Sequence, residues 1–161
     1  PIYDAANDRE SYRAIVQKTL QVQDQLPPVM QPFVAMQLAR VAIWDDDLEA
    51  AMLHLDRAGE LLGQSLLQMF QDNLSTSSLH VMLAELFLEA NALGEAQVRL
   101  DEILKAFPAS AHAKLAYARL YLAQGNTAAA RENLAAVMEI WSDADDDYLM
   151  SQEAASLLQS L

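Results

Sequence analysis

Histidine, cysteine and carboxylate side chains are the residues of this sequence that could bind a metal ion or carry out acid–base chemistry. The chain has three histidines and no cysteine, which excludes thiolate nucleophiles, thiolate metal sites and disulfides. His54, His80 and His112 lack the H-E-x-x-H spacing or any other ligand spacing, and each falls in a segment that we predict to be helical. We therefore expect packed or solvated histidines, and we predict no metal site.

Two acidic runs are the segments that come nearest to a calcium-binding loop. An EF-hand loop requires Gly at its sixth position and Glu at its twelfth. Counted from Asp143, these positions hold Tyr148 and Ala154, and counted from Asp45, the sixth position holds Ala50. A carboxylate at a helix N-terminus interacts favourably with the helix dipole. We therefore expect both runs to cap the helices that follow them.

Other signatures of catalysis are missing from the sequence. There is no G-x-S-x-G segment around a serine, and no G-x-G-x-x-G or G-x-x-x-x-G-K-[ST] loop that would bind a phosphate group. Glu85 and Glu89 form a carboxylate pair, but pairs at this spacing are common on exposed helix faces. We predict that the protein is not an enzyme and uses no cofactor.

The charge balance disfavours polyanionic partners. Ten Lys and Arg stand against 23 Asp and Glu, a formal net charge of −13, which repels phosphate backbones and anionic lipid surfaces. The acidic residues are interspersed with hydrophobic ones, which make up 53% of the 161 residues, as in a folded protein with an acidic surface. No apolar run approaches the roughly 20 residues that span a bilayer. We expect one soluble domain that neither binds nucleic acid nor inserts into a membrane.

The sequence begins at Pro1 and not at Met. We therefore expect that a tag, a signal peptide or another domain has been removed from its N-terminal side. Because the chain has no cysteine, its redox compartment stays open. Both a cytoplasmic location and a periplasmic one, after removal of a signal peptide, agree with the sequence.

Apolar periodicity and turn residues predict eight helices and no strands. The five prolines fall between the apolar-periodic stretches, where a missing N–H group does not interrupt a helix. Gly125 and Asn126 end one helix just before the next begins, and connections this short make consecutive helices antiparallel. The predicted helices span residues 8–25, 32–44, 46–60, 77–91, 93–106, 110–124, 127–141 and 148–160.

One set of residues recurs at a fixed offset. The two clearest copies are Leu83-Ala84-x-x-Phe87 with Ala96-x-x-x-Leu100 and Ile103, and Tyr117-Ala118-x-x-Tyr121 with Ala130-x-x-x-Leu134 and Val137. A weaker copy, Leu38-Ala39-x-x-Ala42 with Ala51-x-x-x-Leu55, precedes them at a longer offset. Alanine at these positions allows two antiparallel helices to approach closely. The longer first offset predicts an insertion between Leu55 and His80, either an overlong second helix or an additional one.

The period of the two clear copies, with small and aromatic residues in a first helix and Ala and large apolar residues in a second, resembles that of the tetratricopeptide repeat. Pro108 stands where that family often closes a repeat, whereas the family's tryptophan is replaced by His80, Lys114 and Ala35. The resemblance implies an all-α fold of antiparallel hairpins stacked as an α-solenoid, with an extra N-terminal helix and a capping helix at about 148–160. It places repeats at about residues 32–65, 77–110 and 111–144 and an insertion at about 64–76.

The resemblance also implies a function. In this family the first helices line a concave groove that holds a peptide or helix of a partner protein, so we expect a scaffold or adaptor. With a net charge of −13, an apolar or amphipathic partner that is neutral or basic is favoured. The residues that map onto the groove are Phe33, Met36, Arg40, Ile43, Trp44, Ser78, Val81, Met82, Glu85, Leu88, Glu89, His112, Leu115, Arg119 and Leu122. The Lys and Asn that clamp a partner's C-terminal carboxylate in one subtype are absent from these positions.

Other interpretations remain open. The chain could be a self-associating subunit of a larger assembly, through an apolar patch in residues 62–74. The large apolar residues of that segment are Leu62, Leu66, Leu67, Met69 and Phe70. It could also be a docking or regulatory module of a longer protein. The alternative to the repeat fold is an unrelated helical bundle with alanine-rich packing.

The predicted absence of a metal site is testable by thermal denaturation. Calcium or zinc at modest excess should leave the melting temperature unchanged, because a ligand that binds only the native state must raise it. A saturable rise of several degrees with either ion, reversed by a chelator, would contradict the prediction.

Overall fold

The computed structural model describes residues 8–69, 75–145 and 147–161. In these residues all regular structure is helical, as the sequence predicts, and includes short 3-10 helices at Gln23–Gln25 and Pro28–Met30. The α-helices are α1 (Arg9–Gln21), α2 (Gln31–Trp44), α3 (Leu48–Met69), α4 (Ser75–Glu89), α5 (Leu93–Ala106), α6 (Ala111–Ala123), α7 (Thr127–Ile140) and α8 (Leu149–Ser160).

Helix α3 is longer than the apolar pattern suggests. We expected its end near residue 60, but it continues without a break through 22 residues to Met69. Gly63 lies on its exposed side and does not end it. Residues 64–69 of the predicted insertion at 64–76 therefore continue the second helix, and residues 75 and 76 begin α4. Residues 70–74 lie outside the described ones.

The helices divide between two compact units, which are described separately. In unit 1 (Pro1–Asp72), α2 packs along α3 and α1 packs against α2, as the extra N-terminal helix. In unit 2 (Asn73–Leu161), α4 pairs with α5 and α6 with α7, while α6 also contacts α4 and α5. Helix α8 lies against α7. That residues 1–161 form one repeat domain stays a prediction.

The three hairpins turn in the same way. Each first helix is followed by a residue in the left-handed region, with φ values of 59° at Asp46, 57° at Asn91 and 74° at Gly125. In each hairpin the next amide donates a hydrogen bond back to a carbonyl of the last helical turn, over 2.8 to 3.0 Å. This geometry is the Schellman cap. The turns recur at the offsets of the sequence motif, including the longer offset of its weak first copy.

Alanines at the helix contacts allow the close packing within unit 2. Ala84 has no exposed surface and lies in a core cluster with Leu100 of α5. Ala118, at the same position of the next hairpin, is equally buried and lies in a cluster with Leu134 of α7. The alanines of the motif therefore lie where the first and second helices meet, as the repeat predicts.

Helix α8 has one buried apolar side and one polar side. Its partly buried Leu157 and Leu158 pack on the cluster that contains Ala118. The side of α6 that faces the following helices is apolar, whereas the equivalent side of α8 is polar. For example, Gln152 of α8 holds the repeat position of Ala118 in α6. A helix of this composition can end a stack of hairpins with its outer face in water.

The alanine contacts predict a cost of overpacking. Replacing Ala84 or Ala118 with Leu should lower the free energy of unfolding by about 1 to 3 kcal/mol, because the added atoms have no space at a helix contact. Ala135→Leu on the exposed side of α7 is the matched control and should change it little. Equal melting temperatures for all three variants would show that the alanines do not lie at close contacts.

The turn geometry predicts opposite effects of one substitution at two glycines. A Cβ atom would meet no other atom within 4 Å at Gly125 or at Gly94 of α5, but only Gly125 has a positive φ. Gly125→Ala should cost about 1 kcal/mol through backbone strain, whereas Gly94→Ala should stabilise by up to about 1 kcal/mol. Chemical denaturation measures both. A gain in stability at Gly125 would contradict the left-handed turn.

Candidate functional site

A row of charged side chains crosses the first helices of unit 2. Glu85 of α4, Arg119 of α6 and Glu153 of α8 recur at an offset of 34 and so hold one position of successive helices. Arg119 donates from Nη1 to Oε1 of Glu85, from Nε to Oε1 of Glu153 over 2.9 Å, and from Nη2 to both oxygens of Glu153 over 2.7 Å. We call these three residues the charge ladder.

The charge ladder is only partly open to water. The exposed fractions of the side chains are 25% for Glu85, 28% for Arg119 and 42% for Glu153. Burial lowers the pKa of Arg119, but the charges of the two carboxylates and their hydrogen bonds outweigh it, so the pKa lies above its ordinary value. The planar guanidinium suits such an arrangement because its fork of donors can face two carboxylates at once. The guanidinium is thus held between α4 and α8.

Two members of the ladder, Glu85 and Arg119, were predicted from the sequence as groove residues that would face a partner. Glu153 and the pairing of the three side chains were not predicted. The structure shows that Arg119 is already bound within the protein. The signal that could have revealed this is the alternation of charge at the offset of the apolar repeat, which continues into α8.

Apolar and polar side chains flank the ladder on α4 and α6. Met82 and Leu88 of α4 and Leu122 of α6 are partly exposed, and the polar residues Ser78 and Glu89 are exposed. We call these five residues, together with the charge ladder, the first-helix face of unit 2.

Two predicted groove residues of unit 2 are in the core. Val81 is 7% exposed and lies in the cluster formed with α5 and α6. Leu115 is 1% exposed and lies in the cluster that α7 and α8 complete. The expectation that they face a groove is not met in this structure, because the neighbouring helices cover them.

His112 belongs to an aromatic cluster. Its Nε2 forms a hydrogen bond of 2.9 Å with the hydroxyl of Tyr148, and its ring lies edge-on to Trp141 at a centroid distance of 5.3 Å. Trp141 and Tyr148 are also edge-on to each other at 5.1 Å. Burial raises the pKa of Tyr148. His112, a predicted groove residue, is exposed. Its contacts with Trp141 and Tyr148 join the start of α6 to the connection between α7 and α8.

In unit 1 the predicted groove residues lie on α2 and are partly or fully covered. Met36 is 1% exposed and so belongs to the core, while Phe33, Arg40 and Ile43 are partly buried. The fifth residue, Trp44, is packed against α1.

Helix α1 covers the end of α2. The ring of Tyr12 meets that of Trp44 edge-on at 5.0 Å, and the guanidinium of Arg9 lies 5.3 Å from the Trp44 ring centroid. Arg13 makes two hydrogen bonds of 2.6 and 2.8 Å to the carboxylate of Asp45. We expected Trp44 to be open in a groove, but Tyr12 and Arg9 of the same chain pack on its ring.

The histidines show no metal-binding arrangement. Among the described residues no group of three or more histidine or carboxylate side chains could hold a metal ion. His80 is buried in unit 2, and its pKa is lowered, first by burial and second by the charge of Arg99, while Glu102 acts in the opposite direction. His80 is thus a packed side chain.

Among the described residues, none of the helices combines the length and the apolar composition of a membrane-spanning segment.

Comparison with known proteins agrees with the repeat geometry. The family model of the tetratricopeptide repeat matches residues 87–161, which contain the end of α4 and all of α5 to α8. No curated protein and no solved structure matches the chain. The matched segment is a little under half of the sequence and holds most of the two clearest copies of the hairpin motif. Over residues 87–161 the chain is therefore similar to the tetratricopeptide repeat family.

Proposed function

We propose that this protein is a non-catalytic scaffold that binds a peptide or helix of a partner protein on the first-helix face of unit 2. Tetratricopeptide repeats generally mediate interactions between proteins and are typically non-catalytic. The observation that carries the proposal is the composition of this face, in which partly exposed apolar side chains flank a fixed row of charges.

The apolar side chains would supply most of the binding free energy. Large side chains near the centre of an interface dominate affinity, because they are removed from water when the partner docks. Met82 of α4 and Leu122 of α6 are the members of the face that best fit this role. Leu88 of α4 is partly exposed as well, but it also packs on the core cluster formed with α5 and α6. A flexible Met can adapt its shape to different apolar partner residues.

The charge ladder would orient the partner. Arg119 is bonded on both sides, so its side chain does not have to be ordered when a partner binds. A site that is ordered beforehand loses less conformational entropy on binding. With a net charge of −13, the protein would attract a basic or neutral partner more strongly than an acidic one.

Three of the five predicted groove residues of unit 1, Phe33, Arg40 and Ile43, stay candidates for further partner contacts. Met36 is 1% exposed and is no longer a candidate. Trp44 is a weaker candidate, because Tyr12 and Arg9 already pack on its ring.

Self-association through residues 62–74 gains no specific support. Leu62, one of the five apolar residues on which that alternative rests, is 1% exposed and cannot add to a surface patch. The side chains of Leu66, Leu67, Met69 and Phe70 lie outside the described residues. A docking module of a longer protein is compatible with the scaffold proposed above, since the same face would serve it.

The proposal predicts which truncations weaken binding. Met82→Ala combined with Leu122→Ala should raise the dissociation constant at least tenfold, about 1.4 kcal/mol, because both side chains lose contact with the partner. Calorimetric titration with a partner recovered by affinity purification measures the change. Truncation of the buried Leu115 would not report on binding, because the loss of a buried leucine costs about 2 to 5 kcal/mol of stability.

A matched control removes the same kind of side chain elsewhere. Val98 of α5 and Ile140 of α7 are 55% and 43% exposed, and Val98→Ala with Ile140→Ala should leave the affinity unchanged. If this pair abolished binding while the Met82 and Leu122 pair bound normally, the binding surface would lie on the second helices and the proposal would fail.

A further inference from the structure

We infer that the partner segment presents a lysine or arginine side chain to the charge ladder, bound by Glu85 and Glu153. The inference rests on the proposed function and names the chemistry that the first-helix face selects.

The ladder has more acceptors than its own cation can use. Two carboxylates offer about eight acceptor positions, and Arg119 makes four hydrogen bonds to them. The side chains of Glu85 and Glu153 remain 25% and 42% exposed. A second cationic group would reach their carboxylates from the solvent side, beside Arg119.

The charges of the ladder favour the same partner. One guanidinium between two carboxylates leaves a formal charge of −1, and a partner cation would bring it to zero. A partner carboxylate would instead meet Glu85 and Glu153, while the donors of Arg119 already point at those two residues. The arrangement thus repels an anionic side chain at the position where an isolated Arg119 would have attracted one.

The surroundings suit a long cationic side chain. Lysine and arginine lay their aliphatic stems along apolar surface and keep the charged end in a polar environment. Met82 of α4 and Leu122 of α6 lie three positions from Glu85 and Arg119 along their helices, which places them one turn away on the same faces. Met82 precedes the ladder position and Leu122 follows it, so the stem would pack on one of these two side chains while the charged end meets the carboxylates.

This local recognition differs from attraction by the net charge. Interactions between exposed charges are screened at distances beyond about 8 Å in physiological salt, whereas a partly buried pair is screened less. A preference that comes from the ladder should therefore persist in salt and depend on two particular glutamates.

Synthetic amphipathic helical peptides test the inference. Their apolar face is made of Leu, and their polar face of Lys, Gln or Glu in three otherwise identical peptides. We expect the wild-type protein to bind the Leu/Lys peptide at least tenfold more tightly than the Leu/Gln peptide at physiological ionic strength, and to bind the Leu/Glu peptide most weakly. Fluorescence anisotropy of labelled peptides measures all three affinities.

The variants Glu85→Gln and Glu153→Gln should each remove most of this preference. Glu132→Gln and Glu139→Gln on the exposed side of α7 change the net charge equally and should preserve it. Melting temperatures identify any variant that fails to fold. Glu85→Gln and Glu153→Gln are separate single variants, so that if one fails to fold the other still tests the inference.

Equal losses in the ladder and α7 variants would overturn the inference, because the preference would then come from net charge. Tight binding of the Leu/Glu peptide would overturn it as well. In both cases the proposed function would stand if peptides bind and if truncation of Met82 and Leu122 weakens their binding. Failure of every peptide to bind would contradict both the inference and a helical amphipathic partner.

Discussion

The close approach of the first helices to their neighbours is the constraint on which the rest of unit 2 depends. Ala84 and Ala118 have no exposed surface, and larger residues there would push the helices apart. With the helices this close, side chains at the same position of successive hairpins become neighbours. The hydrogen bonds of Arg119 to Glu85 and Glu153 follow from that spacing, so the alanine contacts position the proposed binding surface as well as the core.

The fold could be predicted from the sequence to a large extent because its signals are local or periodic. The turn at Gly125 and the apolar pattern of each helix act within a few residues. The constant offset between the motif copies identified the hairpin partners, and the structure repeats it in the left-handed residues Asn91 and Gly125. Asp46 extends the same turn to the weak first copy, where the apolar motif has lost its aromatic residue.

The features that the sequence analysis missed depend on tertiary neighbours. The apolar set of a first helix is wide enough to cover two surfaces, and the pattern alone does not distinguish Leu115, which neighbouring helices bury, from Leu122, which stays partly exposed. The pairing of Arg119 with Glu153 joins two helices that are far apart in the sequence. The length of α3 was ambiguous because a continued helix and a separate one share the same apolar spacing.

Methyl-selective nuclear magnetic resonance with an added partner tests the central claim, that the first-helix face of unit 2 is the binding surface, most directly. The account predicts that the methyl resonances of Met82 and Leu122 shift in a saturable way and receive magnetisation transferred from the partner, while those of Val98 and Ile140 do not. Saturable shifts confined to Val98 and Ile140, with Met82 and Leu122 unchanged, would contradict it.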